Sequence, residues 1–197
     1  MRHMWPETGY KNINYILPDN LIKFIFVRTL FTLNWGIVYH GMLHHYIDYD
    51  FAKDYAKSLL EEEKTNNPLV SEIVKGMNLE SIRILGTSCE DDGLVYEDFW
   101  LTIIVAWILK NKDMIGILIP RLSEIPIIID PLKYIHFLLE IINNDFGCKK
   151  KTEYLTYYMP IGPTDGNRII ENLEDFVQKE VKRLNVLMKI LGSIDYN

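Results

Sequence analysis

After Gly166 the chain settles into one long period. Ile169, Ile170, Leu173, Phe176, Val177, Val181, Leu184, Leu187 and Leu191 recur at steps of three and four, the spacing that lines one face of an α-helix. Asn167 stands where an N-cap belongs and Gly192 where a helix stops. Glu171 and Glu174 come early, and Lys182, Arg183 and Lys189 come late, the order that the helix dipole favours. An apolar stripe of that length has to be covered, so the rest of the chain must supply helices for it to dock on.

The same period recurs upstream. Asp130-Pro131 and Asn67-Pro68 each pair a capping residue with proline at the first helical position, which marks two more helix starts. The Asp130 helix carries Leu132, Ile135, Leu139 and Ile142 on one face. Asp50 to Lys64 reads as a helix with Phe51, Tyr55, Ala56, Leu59 and Leu60 inward and Glu61 to Glu63 outward. Tyr96 to Lys110 is apolar on nearly every side, which predicts the most buried element, with the C-terminal helix packed on it or its neighbours. Leu21 to Trp35 reads as helical too, although its aromatic and β-branched content also suits a strand, and Ile125 to Ile129 is similarly ambiguous. Short connections rich in Gly, Pro, Asn and Asp join these segments. The fold class is therefore all-α: a compact array of antiparallel helical hairpins, loosely solenoid-like, forming a single domain over residues 1–197 with 1–18 as an irregular lead-in.

Composition limits the functional classes. A 48% hydrophobic content with 12% aromatics supports a packed core and excludes a disordered acidic chain. Cys89 and Cys148 are far apart and form no CxxC pair, so they read as thiols of a reducing compartment. The opening residues lack an apolar stretch of the signal-peptide kind, and the longest uncharged apolar run, Phe99 to Leu109, is short of the roughly twenty residues that span a bilayer. A cytoplasmic protein is the expectation.

Charge is distributed unevenly. Between Asp48 and Asp98 stand thirteen acidic and five basic residues, a net charge of −8, while the remainder sums to +2. A concentrated field of that sign disfavours nucleic acid and anionic membranes and attracts a basic partner. Glu61, Glu62, Glu63, Glu90, Asp91, Asp92, Glu97 and Asp98 are the residues expected to form its exposed, connected binding face.

Chemistry-bearing motifs are sparse. His40, His44 and Asp48 stand at i, i+4 and i+8, so a continuous helix would bring two imidazoles and a carboxylate to one face, as some metal sites require. Gly41 weakens such a helix and no HExxH base accompanies it. The expectation is that the three do not converge and that no metal or other cofactor is bound; a metal-dependent hydrolase built on them is the alternative. No GxSxG, GxGxxG or P-loop occurs, and Glu90-Asp91-Asp92-Gly93 lacks the alternating ligands of a calcium loop.

Asn34-Trp35-Gly36 with Gly41, Asn67-Pro68-Leu69, and the block from Asp130-Pro131-Leu132 through Asp145-Phe146-Gly147 to Tyr158-Met159-Pro160 together give a resemblance. The chain resembles a bacterial domain-of-unknown-function family, numbered two-two-four-seven, over most of residues 20–190. Some members of that family lie in polymorphic-toxin neighbourhoods. The resemblance implies an immunity protein without catalytic residues, one that binds and neutralises a cognate toxin domain, basic and of nuclease type. A helical scaffold for a basic host protein is a further alternative.

Overall fold

The computed structural model describes residues 20–89, 93–114, 118 and 166–192. All regular structure among them is helical: α1 (Phe24–Arg28), α2 (Trp35–Leu43), α3 (Tyr49–Glu61), α4 (Pro68–Lys75), α5 (Leu79–Thr87), α6 (Gly93–Lys110), a short 3₁₀ turn at Lys112–Met114, and α7 (Gly166–Gly192). The all-α class holds. The helix expected at Asp130, the ambiguous Ile125 to Ile129, and residues 1–18 lie outside the described residues.

Capping explains the boundaries. Asn34, Asp48, Asn67 and Asn78 each place a side-chain oxygen on an amide in the first turn of the helix that follows, at 2.8–3.0 Å. Each such cap typically contributes about 1 kcal/mol. Asn34 also corrects the reading of Leu21 to Trp35 as one helix. Helix α1 already stops at Arg28 with Thr29 as its C-cap, residues 31–34 are not helical, and Asn34, with an extended backbone, starts α2 afresh.

The chain divides into two compact units, one comprising 19–104 with 177–197 and the other 1–18 with 105–176. In the first, α3 packs on α4, α4 on α5, α2 on α5, and α1 on α3. Consecutive helices joined by short turns thus form hairpins, while α2 reaches across to α5. Phe24 meets Phe51 edge-on at 5.7 Å, Phe31 lies 4.3 Å from Phe99, and Trp35 lies 4.9 Å from Tyr55. Trp100 is fully buried and donates its indole N–H to the Ile37 carbonyl at 3.1 Å, which satisfies the polar atom that a buried tryptophan brings with it.

Glycine permits that approach. A Cβ on Gly41 would fall on the Trp100 ring, and one on Gly36 would fall on the Tyr96 phenol. The Asn34-Trp35-Gly36 and Gly41 pattern is thereby explained as a cap, a core aromatic and two close approaches. In this unit α7 docks through two polar contacts: Arg183 Nη2 to Asp98 Oδ2 at 2.6 Å and Asn185 Nδ2 to the Leu30 carbonyl at 2.9 Å. In the second unit, the end of α6 and the first part of α7 bury Trp107, Ile108, Leu173 and Phe176. Among the described residues, no helix is long and apolar enough to cross a membrane.

Candidate functional site

The residues of the acidic window meet different fates. Glu61 closes α3 and is exposed. Glu62 follows as the C-cap, its carboxylate paired with Lys64 at 2.6 Å and Arg28 at 2.8 Å. The hydrogen bond from Lys64 is the largest effect and holds that carboxyl below its ordinary value; burial opposes it, and the charges of Lys64 and Arg28 add to it. Glu63 comes next, exposed, with a φ of 53°. The Glu63 amide donates to the Leu60 carbonyl at 3.2 Å and the Lys64 amide to the Leu59 carbonyl at 2.9 Å. That two-bond closure of a helix C-terminus places glycine at the Glu63 position in most proteins. Glu61 and Glu63 form no ion pair among the described residues.

Two members of the expected face are not exposed. Glu97 is half-buried, and Asp98 is 9% accessible. The cause is the surface of α6, which is apolar all round and leaves no solvent-facing stripe for a carboxylate. Asp98 is instead held by Arg183, which also binds Glu180 at 2.6 Å. The guanidinium pKa is raised, chiefly by the hydrogen bond with Glu180 and then by that with Asp98. Asp98 is therefore not among the exposed carboxylates expected of that window. Glu90, Asp91 and Asp92 lie outside the described residues.

The histidine set does not form the helical face that its spacing suggests. Helix α2 ends at Leu43 and His44 caps it. His45 then takes a φ of 57° and Tyr46 donates to the Gly41 carbonyl at 2.8 Å, the same closure as at Glu63. Asp48 lies beyond this break and caps α3 by accepting from the Phe51 amide at 3.0 Å. The His40 and His44 rings pack 4.3 Å apart, with His44 stacked on Tyr46. Among the described residues, no group of three His, Cys, Asp or Glu side chains could hold a metal ion.

A cleft of about 430 Å³ opens beside α2, α3, α4 and α5. Its described lining includes the apolar Trp35, Tyr55, Leu59, Val70 and Leu85 and the polar Asn34, Lys64, Thr65, Asn67 and Ser88. The capping roles of Asn34 and Asn67 are local features of the sequence. Their meeting at one cleft, from positions 33 residues apart, follows from the packing of four helices and has no sequence signal.

The described residues define an all-α protein with two exposed carboxylates, Glu61 and Glu63, at the end of α3, and a cleft beside the same helix end that Lys64 helps to line. The family model described as "Uncharacterized protein conserved in bacteria (DUF2247)" matches residues 24–181, and the chain belongs to that family. No curated protein and no solved structure matches it.

Proposed function

We propose that this protein is a binding protein without turnover of its own: a cytoplasmic immunity protein that neutralises a cognate toxin domain with a basic surface. The observation that supports this reading is Glu63. A non-glycine residue in the left-handed region costs about 1–2 kcal/mol; His45 also stands there, and what marks Glu63 as a pointer to function is that its retained backbone cost presents an exposed carboxylate. Glu63 sits there exposed, beside exposed Glu61, at the turn where glycine would be easier. Two carboxylates on a fixed helix end steer a basic partner and raise its association rate.

On this reading a toxin domain should be encoded next to this gene, and the test is co-expression with that domain, read as rescue of growth and as co-purification. Association is then timed for the wild type and for a variant combining Glu61→Lys and Glu63→Lys. At low salt the variant should associate at least about tenfold more slowly. Absence of any complex would remove the immunity reading, and an unchanged association rate within a stable complex would remove Glu61 and Glu63 from the interface.

A further inference from the structure

We draw no further inference here: the strongest candidate, the exposed apolar surface made by Leu43 at the end of α2 and by Met77 and Leu79 at the turn between α4 and α5, carries nothing because nothing in the structure shows what covers it.

Discussion

The end of α3 and the start of α6 both belong to the acidic window, and they treat the same functional group in opposite ways. At α3 the helix has a polar stripe, with Asp50, Asp54, Lys57 and Glu61 on one side and Phe51, Ala52, Tyr55 and Ala56 buried on the other. A carboxylate there stays in water, where its contribution to folding is small. At α6 the residues from Phe99 to Trp107 are all buried, so Asp98 leaves water and must be paired. An unpaired carboxylate at that site would cost several kcal/mol. Charge counted along the chain merges two populations, one structural and one available to a partner.

Variants of decreasing effect sharpen this contrast. Trp100→Ala removes a fully buried ring together with its hydrogen bond to Ile37. It should destabilise the protein by about 3–5 kcal/mol in urea denaturation, and a loss under about 1 kcal/mol would mean that α6 is not the buried pole. Asp98→Ala strands Arg183 at a junction where that side chain keeps 38% exposure and retains Glu180. Partial solvation reduces the cost of breaking a buried pair to about 2 kcal/mol.

Glu63→Gly should act in the other direction. It relieves the left-handed backbone while adding freedom to the unfolded chain, for a net stabilisation of about 0.5–1 kcal/mol in the same assay. If glycine there destabilises the protein, the case for a functional Glu63 fails with it. The smallest effect is that of pH on Glu62. Its folded pKa lies below the ordinary 4.5, so the stabilising contribution is present above that value and is lost as pH falls through the lowered one. Denaturation midpoints of wild type and Glu62→Gln should differ slightly at pH 7 and converge in acid.

Much of the fold was legible because it rests on local rules. The period after Gly166, the Asn67-Pro68 start and the all-round apolarity of Tyr96 to Lys110 each reappear as α7, α4 and α6. Leu21 to Trp35 carries one continuous apolar pattern with no Gly or Pro inside it, so neither the stop of α1 at Arg28 nor the cap at Asn34 is announced by a breaker. The histidine spacing misled for a related reason: a glycine-type C-terminal closure occupied by His45 interrupts the helix, and histidine gives no warning of a left-handed backbone. The burial of Asp98 was open to prediction from the apolarity of its own helix, but its partner was not. Arg183 lies 85 residues away, and only tertiary packing brings the two together. The cleft is the least legible feature, since its polar lining comes from three separate segments, at Asn34, Lys64 to Asn67 and Ser88, and each is locally an ordinary cap or turn residue.

A double-mutant cycle across Asp98 and Arg183 tests the division of the acidic window most directly. Urea denaturation of Asp98→Asn, Arg183→Met and the combined variant gives their coupling energy, and the exposed pair Glu62→Gln with Arg28→Met supplies the surface reference. A coupling of about 1–3 kcal/mol for the first pair and below about 0.5 kcal/mol for the second is the expected result. A coupling near zero at Asp98 would place its carboxylate in water with the others and contradict the account.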